Sequence, residues 1–321
     1  MNNITEVDAQ LFNNKKLLNF KMDLANTLLK DKKLLSFGPD HSFSINYHGI
    51  PLTLLFSNNN ECKKYENFFP RQWKIDRDQS QLDIFFRSVS SINLNTIVWD
   101  DEAEPECAVI SDNGREVAIQ RDFLGVNMAD LGGLKEEVFI IYDEAQDDGF
   151  YNAMRWLLPR KMLSKGKLIL HSSCVIGHDN KAYFFLGPSG AGKSTVATLA
   201  GKRKVLGDDM NVLGVSVEGD IYAEAGGLGG LFDSSPFLGE RFPVGGFFWL
   251  KQSPTTSSQI LSQCTGKLKL IASCANMFWH TNRPSITQQI LSLTELINKK
   301  YQFSELCFQL NQEFWDYVER K

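Results

Sequence analysis

A glycine-rich run near the middle of the chain contains the residue types that bind phosphate. Residues 187–194 read GPSGAGKS and fit the pattern G-x-x-x-x-G-K-[ST] at every fixed position. Glycines let backbone N–H groups turn inward around phosphate oxygens, and the helix expected after the run adds partial positive charge. Lys193 would bridge the β- and γ-phosphates, and the Ser194 hydroxyl would bind Mg²⁺. The alternative is an ordinary glycine-rich turn that caps a helix.

The run therefore predicts a site for a nucleoside triphosphate, taken as ATP with Mg²⁺. The predicted nucleotide-binding residues are Gly187, Pro188, Ser189, Gly190, Ala191, Gly192, Lys193, Ser194 and Thr195.

Two adjacent carboxylates follow this run. In KVLGDDMNVL, Asp208 and Asp209 come directly after a short apolar stretch, as expected for residues at the end of a strand. One carboxylate can hold Mg²⁺ while the other takes a proton from an attacking hydroxyl. The alternative is a plain turn between two strands. The pair therefore predicts one metal ligand and one catalytic base, and the spacing alone does not say which aspartate has which role.

These motifs together resemble a known family. A strand ending in histidine (LILHSSCVI), a second strand that runs into GPSGAGKS, and the pair of aspartates resemble the catalytic domain of bacterial HPr kinase/phosphorylase. They resemble even more closely the looser group of HPr-kinase-related proteins, and that fold is similar to the nucleotide-binding part of phosphoenolpyruvate carboxykinase. The resemblance covers residues 165–320. It implies an α/β fold with a P-loop kinase domain.

The resemblance also implies roles for individual residues. His171 matches a strand histidine near the active site, and Lys193 is counted with His171 and Asp209 as catalytic. The segment YAEAGGLGGLF resembles the signature E-[IV]-R-G-L-G, so Glu224 would be a further Mg²⁺ ligand beside Ser194 and Asp208. Gly226 stands where the signature has arginine, which leaves open whether the reverse, phosphorylase reaction is retained. His171 as a core histidine and Glu224 as an exposed strand residue are the alternatives.

The family's later catalytic arginine has no match in a motif here. The basic residues considered for that role are Arg241, Lys267, Lys269 and Arg283.

Composition narrows the class of protein. The chain has 321 residues, 43% hydrophobic and 22% charged, as expected of a soluble globular protein, and a net charge of −4. That balance argues against nucleic-acid binding. The six scattered cysteines favour reduced thiols over disulfides or zinc. Neither a signal peptide nor a membrane span is predicted, so we expect a cytoplasmic protein.

The chain divides by character near residue 150. Residues 1–150 predict a β-rich, mostly antiparallel α+β module that serves acceptor recognition or assembly. A helix is predicted near its start, over residues 17–29. Residues 151–321 predict the P-loop catalytic domain, with a first helix that ends near Pro159. The strands predicted in the first part cover residues 43–47, 52–56, 82–86, 96–99, 108–110 and 116–120.

The function predicted is an ATP-dependent kinase that transfers the γ-phosphoryl group to a hydroxyl. On the resemblance, the acceptor is serine of a protein or peptide; a small-molecule alcohol is the alternative acceptor, and homo-oligomers are in keeping with the family. A nucleotide-switched ATPase that signals to a partner is a second hypothesis. Carboxykinase chemistry is a third, and it needs a metal site of lysine and histidine that the sequence does not assemble.

Overall fold

A computed structural model gives the fold of this protein. It describes residues 41–89, 108–112, 115–120, 122–127, 136–143, 149–227, 230, 235–274 and 284–319. The helix predicted over 17–29, the strand over 96–99 and Arg283 lie outside the described residues. The described helices are α1 (Asn59–Phe68), α2 (Gly149–Leu163), α3 (Lys193–Thr198), α4 (Gln263–Ala272), α5 (Pro284–Lys300) and α6 (Trp315–Val318).

The described residues before 149 form a seven-stranded sheet in the order β1-β2-β3-β7-β6-β5-β4. The pairings of β2 with β3 and of β3 with β7 are parallel, and the other four are antiparallel. The mostly antiparallel, β-rich prediction is therefore confirmed for this part. The strands are β1 (His41–Tyr47), β2 (Ile50–Phe56), β3 (Leu82–Val89), β4 (Ala108–Asp112), β5 (Arg115–Ile119), β6 (Phe123–Asn127) and β7 (Glu136–Asp143).

Three elements of this part were not predicted. Helix α1 begins within a run of asparagines at 58–60; Asn58 is its N-cap, and the Asn58 side chain accepts a hydrogen bond from the Asn60 N–H at 2.8 Å. Asparagine is favoured at both turns and helix N-caps, so composition alone does not separate the two. Strands β6 and β7 were also missed.

The second sheet has eight strands in the described residues and is organised around β8. The first half of β8 pairs with β11, and its second half pairs with β9 and β10. Strand β9 lies between β8 and β13. The strands are β8 (Lys167–Ile176), β9 (Ala182–Leu186), β10 (Lys204–Gly207), β11 (Met210–Val215), β12 (Ile221–Ala225), β13 (Phe242–Gln252), β14 (Ser257–Ile260) and β15 (Phe303–Phe308).

Strand β9 leads into the glycine-rich run and is buried along its whole length. It pairs in parallel with β13, which in turn pairs in parallel with β15. Phe184 stacks on Phe247 on one face, and Phe185 stacks on Phe248 on the other. Helices α3 and α6 cover the second of these faces. A strand buried on both faces is a rigid base for the loop that follows it.

Helix α2 continues beyond the predicted end near Pro159, so that prediction is wrong. Proline removes one backbone hydrogen bond and costs about 3 kcal/mol inside a helix. The turn after it buries Met162 and Leu163, and each buried side chain of this size contributes roughly 1.5–3 kcal/mol. Burial therefore offsets the proline, and the helix extends to Leu163.

The two sheets share one hydrophobic core. Ile45 and Phe86 from the first sheet, Trp156 from α2, and Leu170 and Phe247 from the second belong to the same buried cluster. The division into modules 1–150 and 151–321 stays a prediction. An α/β fold with two sheets is what the described residues show. None of their helices combines the length and apolar character needed to cross a bilayer.

Candidate active site

The phosphate loop needs glycine at two positions. Gly190 has φ of +74° and Gly192 has φ of +102°, a region of backbone space that other residues rarely adopt. A Cβ on Gly192 would also lie 2.7 Å from the Phe308 ring. The strand before the loop and the helix after it were both predicted, and both are present; the helix, α3, ends at Thr198.

Contacts from three directions fix the loop. The Lys193 ammonium is buried and donates hydrogen bonds to the carbonyls of Gly187 and Pro188, each at 3.0 Å. The Ser173 hydroxyl donates to the Lys193 carbonyl, and the Gln252 amide donates to the Gly190 carbonyl at 2.9 Å. Lys193 therefore has to exchange loop carbonyls for phosphate oxygens when a nucleotide binds.

The two aspartates form the turn between β10 and β11, and Asn211 holds that turn against β8. The buried Asn211 amide donates to the Ser172 carbonyl at 2.7 Å and to the Gly207 carbonyl at 3.2 Å. The Ser172 N–H donates to the Asp209 carbonyl at 2.7 Å. The aspartate turn is thus attached to the same strand that carries His171.

His171 and Asp209, both predicted from the sequence, come together. His171 Nε2 lies 3.4 Å from Asp209 Oδ1. The Arg155 guanidinium, on α2, donates to Asp209 Oδ2 at 2.6 Å. Arg155 and Asp209 are each 22% exposed, so the pair reaches solvent. The carboxylate thus has a histidine on one oxygen and an arginine on the other.

Asp208 is 4% exposed and faces away from solvent. A Cβ on Gly230, which has φ of +101°, would lie 2.5 Å from Asp208 Oδ1. The absence of a side chain at Gly230 therefore makes room for this carboxylate.

Glu224 lies in a cluster of four ionisable side chains, called here the Glu224 cluster, in which His48, Lys167 and Glu224 are buried and Arg241 is exposed. Lys167 Nζ donates to Glu224 Oε2 at 2.6 Å, and His48 Nδ1 lies 3.0 Å from the same oxygen. Arg241 Nε donates to Glu224 Oε1 at 2.9 Å. Cationic groups or hydrogen-bond donors therefore occupy both oxygens. The predicted role of Glu224 in metal binding stays a prediction, and it requires these contacts to open.

Burial and charge act in opposite directions on Glu224. Burial alone would raise its pKa, but hydrogen bonds and positive charge from His48 and Lys167 lower the pKa to about 2. Burial lowers the pKa of His48, against the hydrogen bond with Glu224 that raises it. Because a carboxylate oxygen can only accept a hydrogen bond, His48 donates to it from Nδ1. The cluster is an ionised carboxylate with its charge compensated inside the protein.

The hairpin formed by β1 and β2 joins the first sheet to the second at Gly226, directly after β12. Tyr47 lies directly before His48 and donates from its hydroxyl to the Gly226 carbonyl at 2.6 Å. A Cβ on Gly226 would lie 2.2 Å from the Met210 carbonyl, so no other residue fits there. The arginine of the family signature is therefore excluded at this position by packing against the start of β11.

Sequence reasoning missed four residues of these sites: His48, Arg155, Lys167 and Asn211. Arg155 had one signal, since it is a charged residue inside the otherwise apolar run NAMRWLL. His48, Lys167 and Asn211 had none, because their partners are distant in the sequence. Of the basic residues considered for a catalytic arginine, Arg241 contacts Glu224, Lys267 pairs with Glu295, and Lys269 lies over Trp249.

The residues predicted to bind metal offer oxygen atoms, which suit Mg²⁺ rather than a softer metal. Ser194 supplies a hydroxyl at the start of α3, and Asp208 supplies a carboxylate at the end of β10. Within the described ranges, no group of three or more His, Cys, Asp or Glu side chains could hold a metal ion. Mg²⁺ commonly binds through one or two protein oxygens, with phosphates and water as its other ligands. The residues present fit that mode of binding.

No protein-family model matches the chain. Parts of it are similar to ATP-dependent phosphoenolpyruvate carboxykinases. Over 102 residues, 30% of its length, the chain is 34% identical to phosphoenolpyruvate carboxykinase (ATP) 1 of Arabidopsis thaliana. It is 32% identical over 110 residues, 29% of this chain, to the enzyme of Leptospira biflexa. It is 29% identical over 173 residues, 53% of this chain, to the enzyme of Eremothecium gossypii.

The chain spans 14%, 20% and 29% of the length of these three relatives, respectively. The resemblance to phosphoenolpyruvate carboxykinase is confirmed over part of the chain, and the resemblance to HPr kinase/phosphorylase stays a prediction.

Proposed function

We propose that this protein is an ATP-dependent phosphotransferase whose acceptor is a hydroxyl group, on serine of a protein or peptide or on a small molecule. One observation carries the proposal. Consecutive residues of β8 hold the two parts of the site: the Ser172 N–H bonds the Asp209 carbonyl, and the Ser173 hydroxyl bonds the Lys193 carbonyl. Those two carbonyls therefore lie within roughly 10 Å of each other. A γ-phosphate over Lys193 would be close to Asp209.

The chemistry follows from this proximity. The acceptor oxygen attacks the γ-phosphorus while Asp209 takes its proton, the bond to the β–γ bridging oxygen breaks, and ADP leaves. Lys193 compensates the charge on the β- and γ-phosphates. Mg²⁺, held by Ser194 and Asp208, would neutralise phosphate charge when bound. His171 orients the Asp209 carboxylate.

Arg155 has two roles in this scheme. The Arg155 guanidinium occupies Asp209 Oδ2, and His171 faces Oδ1. Arg155 therefore has to leave Asp209 before an acceptor hydroxyl can reach the carboxylate, and the γ-phosphate is the anion that would attract it. In that position the guanidinium stabilises the charge of the transition state, as the unmatched family arginine would.

The test is transfer of label from γ-labelled ATP with Mg²⁺ to fractions of a cell lysate, using wild type and Asp209→Asn. Asp220→Asn is the matched control, because Asp220 has a side chain 82% exposed in the turn between β11 and β12. Label on a protein, peptide or alcohol that disappears only with Asp209→Asn supports the proposal. Free phosphate as the sole product, unaffected by lysate, would favour the nucleotide-switched ATPase.

The relatives give a second candidate function. They are named as carboxykinases of phosphoenolpyruvate, so the oxygen acceptor in this chain would be that of an enol. In the described residues His48 and Lys167 do meet, but both bind Glu224. Formation of ATP from ADP, phosphoenolpyruvate and bicarbonate, with a divalent metal ion present, would favour this candidate over the hydroxyl kinase.

A further inference from the structure

A cavity of about 440 Å³ opens beside the phosphate loop, where β13 and β15 end. Its lining residues come from the ends of these two strands and the loops that follow: Gln252, Ser253, Pro254, Phe308, Gln309 and Leu310. We propose that this cavity binds the purine base of the nucleotide. The inference rests on the proposed function, because it requires a nucleoside triphosphate in the phosphate loop.

The cavity and the phosphate loop share a wall. The Gln252 amide donates to the Gly190 carbonyl at 2.9 Å. Phe308 packs so closely on Gly192 that a Cβ there would lie 2.7 Å from the ring. Two of the lining side chains therefore touch the loop that would hold the phosphates, and a nucleotide could reach from one to the other.

The strand order gives the nucleotide a direction. Strand β9, which leads into the loop, lies between β8 on one side and β13 on the other. The aspartate turn is attached to β8, so the γ-phosphate and the acceptor belong on that side. The cavity lies on the other side, at the carboxyl ends of the parallel strands β13 and β15. Ligands of open α/β sheets bind at such carboxyl ends. A nucleotide lying across the loop would thus bring its base to the cavity.

The size and the lining suit a planar base with polar edges. A volume of about 440 Å³ lies within the range of small-molecule sites. Leu310 is 75% exposed, and with Pro254 it offers an apolar surface to a ring face. Phe308 is buried and forms the inner wall. The amides of Gln252 and Gln309 can exchange hydrogen bonds with the edge of the base.

The test compares two ligands that share phosphates but differ in the base. Dissociation constants for ATP and for inorganic tripolyphosphate, each with Mg²⁺, are measured by calorimetry on the full chain. The variants are Leu310→Asp and the uncharged Leu310→Asn. Val217→Asp is the matched control, because Val217 is fully exposed in the turn between β11 and β12.

We expect Leu310→Asp to weaken ATP at least tenfold and Leu310→Asn to weaken it several-fold, with tripolyphosphate unchanged in Leu310→Asn. Val217→Asp should leave both ligands unchanged. Equal ATP affinity in all four proteins, while Lys193→Ala abolishes binding, would overturn the base site and leave the phosphate loop intact. Equal weakening of both ligands by Leu310→Asn would also overturn it. Wild type that binds neither ligand would refute the proposed function and the base site together.

Discussion

The molecule has two charged centres that differ in how their charges are satisfied. Around Asp209 the ion pair with Arg155 is 22% exposed at each side chain, and His171 is 40% exposed. In the Glu224 cluster His48, Lys167 and Glu224 are all buried, with side chains 1–5% exposed. The first centre can exchange partners with a ligand at little desolvation cost. In the second centre, side chains of the protein itself already compensate the charge of Glu224. Separating Glu224 from these side chains would leave buried charges unpaired.

The difference indicates that the centre around Asp209 can exchange its partners for a ligand, whereas the Glu224 cluster joins the two sheets. Lys193 and Arg155 each bond a protein oxygen that a phosphate could replace. The Glu224 cluster instead joins His48 of the first sheet to β8 and β12 of the second. Substitutions should therefore affect catalysis at the first centre and folding at the second.

The largest effect is expected from Asp209→Asn. Loss of a general base costs about 10²–10⁴-fold in rate, and the amide keeps the size of the side chain. The initial rate of label transfer from ATP measures this, beside a urea unfolding curve that should shift little. A rate within threefold of wild type would remove Asp209 from the base role and weaken the contrast between the two centres.

Glu224→Ala tests whether the Glu224 cluster contributes to the stability of the fold. It leaves Lys167 buried without its counter-charge, which costs about 3–5 kcal/mol of unfolding free energy. Urea unfolding followed by circular dichroism measures the loss. Glu218→Ala is the control, because Glu218 is exposed in the turn that precedes β12. Similar unfolding midpoints for the two variants would contradict the view that the cluster holds the sheets together.

The loss of unfolding free energy at acidic pH should depend on Glu224. Its pKa is lowered from 4.5 to about 2 by its partners, so its contribution is fully present above pH 4.5 and is lost as the pH falls towards 2. The shift corresponds to about 3 kcal/mol. Unfolding free energies measured at intervals between pH 6 and pH 3 should fall less steeply in Glu224→Gln than in wild type. Parallel slopes would show that the carboxylate is not held in its ionised form.

The smallest effect is expected from Tyr47→Phe. This change removes the hydroxyl that bonds the Gly226 carbonyl and should cost about 0.5–1.5 kcal/mol, measured by urea unfolding. The control is Tyr301→Phe, in which the ring contact with Phe247 is kept. If transfer rates fall in Tyr47→Phe while the control is normal, the hairpin of β1 and β2 also positions the chain that leads from Gly226 to Gly230, and Gly230 lies next to Asp208.

The sequence predicted those parts of the site that are built from contiguous residues. The loop 187–195 and the turn at Asp208 and Asp209 follow local rules of strand, glycine and helix, and the strands around them were predicted with them. Arg155 was missed because 54 positions separate it from its partner Asp209. His48 and Glu224 are 176 positions apart. A pairing of that kind depends on strand order, which local patterns do not specify.

Helix α2 and the first sheet show the same limit. Pro159 predicted a helix end on local grounds, and the shared core outweighed it. Strand β7 (EEVFIIYD) pairs in parallel with β3 although 54 positions separate their first paired residues, Leu82 and Glu136, and β4 to β6 lie between them in the sequence.

The contact between His48 and Glu224 has a consequence for synthesis on the ribosome. The hairpin of β1 and β2 emerges early, but its buried histidine and tyrosine find their partners only after residues 224 and 226 have been made. Because Arg241 comes later still, the cluster closes when about three-quarters of the chain exists. Until then the polar atoms of His48 and Tyr47 lack these partners, although both rings can already pack against Trp73. Slower translation before residue 241 would prolong this interval.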